Sequence, residues 1–255
     1  MKGLIIKDFY CLKKQFMNYV AVIIGLVVIT IMFVLSFNHG NLYISRMGMI
    51  ADGQATLADT IEFANRAMIF VMLLPIACAG DLDSLFRSDH QAGFYKIAAG
   101  LPVSTAKRVA SRFVTALIFV GVGALIDIII SLILSMLTDV VGFTEFANTI
   151  VSFSSLMFIY GCVVILLMYM FGTKVSGYAG IIPFIVAVAG LIIAGFDGIK
   201  RFFVYEDDSL LRHYFDYIHR LITERSYVLL LAAIITFGVI YPLSVSFAQR
   251  KKGVA

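Results

Sequence analysis

The residues that could do chemistry in this sequence are few, and none of them forms a catalytic motif. A nucleotide-hydrolysing chain needs a Gly-rich loop ending in Lys-Ser or Lys-Thr, because backbone amides hold the phosphates and the hydroxyl binds magnesium. No lysine here is followed by Ser or Thr. The four histidines form no His-Glu-x-x-His motif, and the three cysteines are scattered along the chain. We therefore expect no catalytic residue, no bound cofactor and no metal site on this chain.

Asp127 is the one ionisable residue near the middle of a long apolar segment. A charged side chain at that depth in a membrane costs about 2.5–3.5 kcal/mol, so it should face the interior of a helix bundle. Gly123 and Ser131 lie one helical turn on either side of it. This small and polar face suits either close packing against another helix or a water-lined cavity, in which Asp127 would line a substrate path or carry a proton.

The segment 86–112 has the most distinctive sequence pattern in the chain. It begins with polar residues, can form a short helix through 92–99, breaks at Gly100 and Pro102, and restarts with Ser104 as the N-cap. Such a unit would be small and rigid, and it would lead directly into a spanning helix. A push on this segment could therefore be transmitted into the membrane.

The elements that must position these residues are membrane helices. Of the 255 residues, 61% are hydrophobic and 14% are charged, whereas a soluble domain has roughly 25% charged residues. Six apolar segments approach or exceed the length of about 20 residues that one crossing needs: 18–37, 63–80, 113–137, 149–171, 177–195 and 227–247. The predicted fold class is all-α, a polytopic integral membrane protein whose single transmembrane domain, 1–255, has six transmembrane helices.

The distribution of basic residues predicts the orientation of this domain. With the amino terminus inside, 13 of the 20 Lys and Arg residues fall in cytoplasmic segments. Both termini are then cytoplasmic, 86–112 is a cytoplasmic loop and 196–226 is extracellular. Apolar residues at three- and four-residue spacing, such as Tyr214 and Ile218, predict an amphipathic helix in that extracellular loop. It would either cap the bundle or help to receive or release an amphipathic substrate.

The first 17 residues predict an amphipathic helix on the inner membrane surface. Its apolar stripe consists of Ile5, Phe9, Leu12 and Phe16. Lys7 and Lys14 fall on the opposite side, where they would contact anionic headgroups while the stripe contacts lipid. The alternative is an ordinary basic leader that only helps to set the topology.

The segment 86–112 also resembles the cytoplasmic signature of type-2 ABC exporter permeases. It has an acidic residue, a glycine, an aromatic stretch, then Leu-Pro-Val-Ser and a basic residue ahead of a membrane helix. The resemblance covers essentially the whole chain, since that family also has an amphipathic N-terminal elbow helix, here 1–17, six spans and both termini inside. It implies that 86–112 holds a coupling helix that docks on a separate ABC ATPase subunit, which binds ATP and magnesium. The docking contacts implied here are Asp89, Gly93, Phe94, Tyr95 and Lys96, and Leu101 and Pro102 match the turn that follows.

Asp89 stands where the family more often has Glu, which is a minor departure. The short external loops favour compact members in the plasma membrane of Gram-positive bacteria, and the chain is similar to permeases that export amphipathic peptides of the phenol-soluble modulin type. The resemblance implies a second permease copy or a paralogue, surrounding membrane lipid and an exported amphipathic substrate as partners, with no nucleic acid. The alternatives are an ATP-independent secondary transporter and a non-transporting immunity or assembly protein.

Overall fold

The computed structural model describes residues 2–53, 56, 76, 86, 88–89, 103–137, 143–172, 176–198, 200 and 209–252. Within these ranges eight α-helices have described bounds, further residues such as 196–198 are helical, and no strand occurs, which agrees with the predicted all-α class. The helices are α1 Lys2–His39, α2 Asn41–Ala51, α3 Thr105–Leu137, α4 Phe143–Phe171, α5 Ser176–Ala179, α6 Ile181–Ala194, α7 Ser209–Thr223 and α8 Ser226–Lys252.

The first helix is longer than one membrane crossing. α1 has 38 residues, or about 57 Å at 1.5 Å per residue. The predicted elbow segment 1–17 is therefore the first part of a helix that continues into the predicted first span, and it is not a separate helix. After α1 the chain bends by 42° between Ile23–Phe37 and Asn41–Ala51. A Cβ at Gly40 would lie 2.8 Å from the Ser36 Cα, so the bend requires a glycine.

Three helices, α3, α4 and α8, form the packed centre of the described structure. Each contains a segment long and apolar enough to cross a membrane: Thr105–Ile133, Phe146–Phe171 and Ser226–Arg250. These segments correspond to the third, fourth and sixth predicted spans. All three helices contact one another. The buried Cys162, Ile165 and Met168 of α4 belong to the same apolar core as Phe113 of α3 and Ile240 of α8.

Two hydrogen bonds fix the directions of these helices. Ser226 Oγ donates to Asn148 Oδ1 at 3.2 Å, so the starts of α8 and α4 lie together. Tyr241 Oη donates to the Ala106 carbonyl at 3.4 Å, so the last turns of α8 lie beside the start of α3. α8 is therefore parallel to α4 and antiparallel to α3. We call the end of the bundle at the start of α3 the Arg112 end, and the opposite end the Asn148 end.

The other three predicted spans have different outcomes. The described part of the chain has three spanning helices, or four if the bent pair of α1 and α2 forms one span, so the prediction of six spans is not confirmed. The second predicted span, 63–80, lies outside the described residues except for Ile76. The fifth, 177–195, is interrupted at Gly180, and α6 has only 14 residues, about 21 Å. Pro183 explains the interruption, because it has no N–H to donate to the Ala179 carbonyl.

Candidate functional site

Four charged side chains meet at the Arg112 end of the bundle. Arg112 of α3 donates from Nη1 to Asp8 Oδ1 of α1 at 2.8 Å and from Nη2 to Asp89 Oδ2. Lys7 Nζ lies 3.1 Å from Asp8 Oδ1 and 2.5 Å from Asp89 Oδ1. Thr115 completes the group by donating from Oγ1 to Asp8 Oδ2 at 3.2 Å. We call these five residues the Arg112 cluster.

The Arg112 cluster is largely sealed from solvent and is electrically balanced. Its side chains are exposed by only 1% at Asp8, 9% at Arg112, 14% at Asp89 and 22% at Lys7. Two positive and two negative charges sum to zero, which matters because a buried charge without a partner is strongly unfavourable. Burial, together with the nearby Arg112 charge, lowers the pKa of Lys7 below its ordinary value, while Asp8 acts to raise it.

Aromatic rings surround the Arg112 cluster and extend it to a third helix. The Arg112 guanidinium lies 5.1 Å from the centre of the Phe86 ring, within range of a cation–π contact. Phe86 in turn meets Tyr169 of α4 edge-on at 5.5 Å. Next to the cluster, Phe9 of α1 stacks on Phe119 of α3 at 5.2 Å. Phe86 and Asp89 together therefore contact α1, α3 and α4.

This arrangement is suited to transmitting force, and it has no nucleophile–base pair. Charge-assisted hydrogen bonds are shorter and stronger than neutral ones, and Arg112 holds both carboxylates from one planar group. A displacement of Asp89 would therefore pull on Arg112 and, through it, on Asp8. No group of three metal-ligating side chains occurs in the part of the chain that the structure describes.

The predicted docking residues are covered unevenly by the structure. Asp89 lies in the Arg112 cluster, where its carboxylate is bonded within the chain to Lys7 and Arg112. The other predicted docking and turn residues lie outside the described residues: Gly93, Phe94, Tyr95, Lys96, Leu101 and Pro102. The docking role of this segment therefore stays a prediction.

The predicted apolar stripe of the amino-terminal segment is described in part. Ile5 is half-buried, and Phe9 is 37% exposed although its ring stacks on Phe119. The backbones of Leu12 and Phe16 are helical, and their side chains are outside the described set. Phe9 thus contacts α3 while part of its side chain stays exposed.

Gly123, Asp127 and Ser131 are all buried on α3. Ser131 Oγ donates to the Ile128 carbonyl at 2.9 Å. The Asp127 side chain is fully buried, and neither carboxylate oxygen has a hydrogen-bond partner among the described residues. Asp127 lies about 22 Å along the helix from Arg112, so it is separate from the Arg112 cluster. Its role in a pathway or in packing stays a prediction.

Sequence reasoning did not identify Lys7, Asp8, Arg112 and Thr115 as a functional group. One signal was available, because Asp8 is the only acid among the first 17 residues and stands among four lysines. An acid in a basic, half-apolar helix needs a partner when it is buried. The identity of that partner was hidden, since Arg112 is 104 positions away in the sequence.

This chain is similar to known proteins at the level of the family. Neither the curated proteins nor the solved structures contain a match to this chain. The family model described as "ABC-2 family transporter protein" matches residues 55–251. The match includes α3 to α8 and Asp89, whereas Lys7 and Asp8 lie before it. With its spanning helices and a family match over most of its length, this chain belongs to the ABC-2 transporter family and is a multi-pass membrane permease component of an ABC transporter.

Proposed function

We propose that this chain is the permease subunit of an ATP-driven exporter and that a separate ATPase subunit docks at the Arg112 end of the bundle. The Arg112 cluster is the observation that carries this proposal. Asp89 belongs to the segment that resembles a coupling helix, and it is bonded to α1 through Lys7 and to the start of α3 through Arg112. A force applied by an ATPase at 86–112 would reach two helices at once.

The proposed transport unit contains two copies of this chain, or this chain and a paralogue, in the plasma membrane of a Gram-positive bacterium with both termini in the cytoplasm. One feature of the structure and one of the sequence are compatible with more than one permease. Nearly every residue of α6 is exposed, and this helix is strongly apolar, so lipid or a second chain must cover it. Six predicted spans also enclose little space on their own.

The proposed substrates are amphipathic or hydrophobic peptides, such as toxins or antimicrobial peptides. A peptide of this kind partitions into the membrane interface, so it would reach the permease from the lipid. The exposed surfaces of α6 and α8 are rich in large apolar side chains, including Phe184, Ile193 and Ile235. Such surfaces are compatible with a substrate that enters sideways from the bilayer.

The first test is purification of the tagged full-length chain from its native membrane in mild detergent, followed by mass spectrometry of the proteins that co-purify. We expect an ATPase with a P-loop in near-equal amount. The matched variant Phe94→Asp should capture less of this ATPase than the wild type, because a charge is introduced at the proposed docking surface. A chain that is stable alone and captures no ATPase even after crosslinking would overturn the proposal in favour of a secondary transporter or an immunity protein.

The second test addresses the substrate. The permease and its ATPase, reconstituted in proteoliposomes, should hydrolyse ATP faster with an amphipathic helical peptide than with a peptide of the same composition whose sequence is scrambled to remove the apolar face. Equal stimulation by both peptides would contradict the proposed substrate class. It would leave the assignment as an ATP-driven permease intact, because that assignment depends on the co-purified ATPase.

A further inference from the structure

α7 carries a small basic cavity that the transport proposal does not use. His213, Tyr217 and Arg220 recur at four- and three-residue spacing, so they share one face of the helix. With Leu221 and Arg225 they line a cavity of about 140 Å³. His213, Arg220 and Arg225 are exposed, and Tyr217 is 56% exposed. The cavity therefore presents two guanidinium groups, an imidazole and a phenol to a ligand.

Hydrogen bonds fix the depth of this cavity relative to the spanning helices. Ser152 Oγ of α4 donates to the Ile222 carbonyl at 2.7 Å, and Arg225 directly precedes the spanning segment Ser226–Arg250. The spanning segment of α4 begins nearby, at Phe146. The carboxyl end of α7 thus lies level with the starts of two spanning helices, at the Asn148 end, where the headgroup layer of a bilayer adjoins the hydrocarbon core.

The chemistry of the lining matches a phosphate group held at that level. Arginine presents a planar set of N–H donors that fits phosphate oxygens in pairs, and tyrosine is enriched where headgroups meet the apolar core. Leu221 lines the cavity, and it is partly exposed, as are Ile218 and Ile222, so an apolar surface adjoins the basic residues. Two acids of α7 are near these residues: Glu224, whose side chain is exposed, and Asp216, which lies three residues after His213 and four before Arg220 and whose side chain is outside the described set.

We infer that the cavity lined by His213, Tyr217, Arg220, Leu221 and Arg225 binds the phosphate of an anionic glycerophospholipid. A lipid fits better than free phosphate, because the cavity lies at the level of the headgroups and has apolar side chains beside it. The lipid would be held at the face of the membrane opposite the Arg112 cluster. It would tie α7 to the bilayer next to the start of α8.

The site is tested with the full-length chain in phosphatidylcholine vesicles that contain a photoactivatable phosphatidylglycerol. The readout is the yield of lipid adduct within residues 209–225, measured by mass spectrometry after illumination. Near an anionic surface each basic residue contributes about fivefold in affinity, so Arg220→Gln/Arg225→Gln should lower binding by about 25-fold. Arg220→Lys/Arg225→Lys keeps the charge but loses the paired donors, so its adduct yield should lie between those of the wild type and the double Gln variant. Lys200→Gln removes an exposed charge outside the cavity lining and should leave the yield unchanged.

Competition identifies the ligand. Unlabelled phosphatidylglycerol should displace the probe, whereas diacylglycerol, which has no phosphate, should not. Displacement by inorganic phosphate at the same concentration would overturn the assignment to a lipid. An adduct yield in the double Gln variant equal to that in Lys200→Gln would overturn the site itself. Size-exclusion profiles of all variants establish that the compared proteins are equally folded.

Discussion

The Arg112 cluster allows a prediction in which a second substitution restores part of the stability lost by the first. Arg112→Gln removes a positive charge that is 9% exposed and leaves Asp8 and Asp89 sharing Lys7. Breaking a buried ion pair by removing one partner costs about 3–5 kcal/mol, because the remaining charge is uncompensated. That is a large part of the total stability of an ordinary domain, about 5–15 kcal/mol.

The second substitution is Asp89→Asn. Added to Arg112→Gln, it removes the uncompensated negative charge and leaves Lys7 paired with Asp8 at 3.1 Å. The cluster is then neutral again. We therefore expect the double variant to be more stable than Arg112→Gln alone, with a coupling energy of about 1–3 kcal/mol between the two positions.

The assay is equilibrium unfolding in mixed detergent micelles, followed by circular dichroism, for the wild type, both single variants and the double variant. Lys107→Gln is the matched control, since Lys107 is an exposed basic residue at the start of the same helix; it should change the free energy of unfolding by no more than about 0.5 kcal/mol. If the two single effects add to within about 0.3–0.5 kcal/mol, the reasoning about shared charge is refuted.

Three further predictions concern other parts of the chain. Gly93→Asp or Phe94→Asp should uncouple ATP turnover from export while membrane insertion is intact, and export that still tracks ATP turnover would argue against docking at this segment. Asp127→Asn should leave folding intact, because the neutral amide is less costly to bury than a carboxylate; a transport assay then decides its role, since unchanged transport excludes a proton-carrying function. Tyr214→Phe removes the hydrogen bond of 3.0 Å to the Leu191 carbonyl and should lower stability by about 1 kcal/mol, measured by the same unfolding assay; an unchanged value would show that this bond does not hold α6.

Hydropathy predicted α3, α4 and α8 because each contains a long apolar run. Hydropathy did not predict that α1 is continuous, because it does not detect helix breaks. The composition did carry this information, since residues 4–24 contain neither Gly nor Pro, the residues that most often interrupt a helix. At the fifth predicted span, hydropathy predicted one continuous helix where the structure has a break. There the apolar run is continuous, but Gly180 and Pro183 interrupt the helix in its first third.

The composition of the site was harder to predict than the fold. The resemblance of 86–112 to a coupling segment indicated Asp89 as a docking contact, and it did not indicate a bond of this residue within the chain. In the structure the Asp89 carboxylate is bonded within the chain. Pairings such as Asp8 with Arg112 depend on how distant helices pack, and neither propensity nor periodicity carries that information.

The two ends of α6 indicate which parts of the permease can move independently. Tyr160 Oη donates to the Gly180 carbonyl at 2.9 Å and Tyr214 Oη donates to the Leu191 carbonyl, while the flanks of α6 are exposed. Among the described residues, two neutral hydrogen bonds attach α6 near its ends, whereas α1 and α3 are joined through the charged Arg112 cluster. Under the proposed function, a displacement of Asp89 would move α1 and α3 together, and α6 could change its position at a lower energetic cost. Variants of the Arg112 cluster should therefore uncouple ATP turnover from export while the packing between α4 and α8 stays intact.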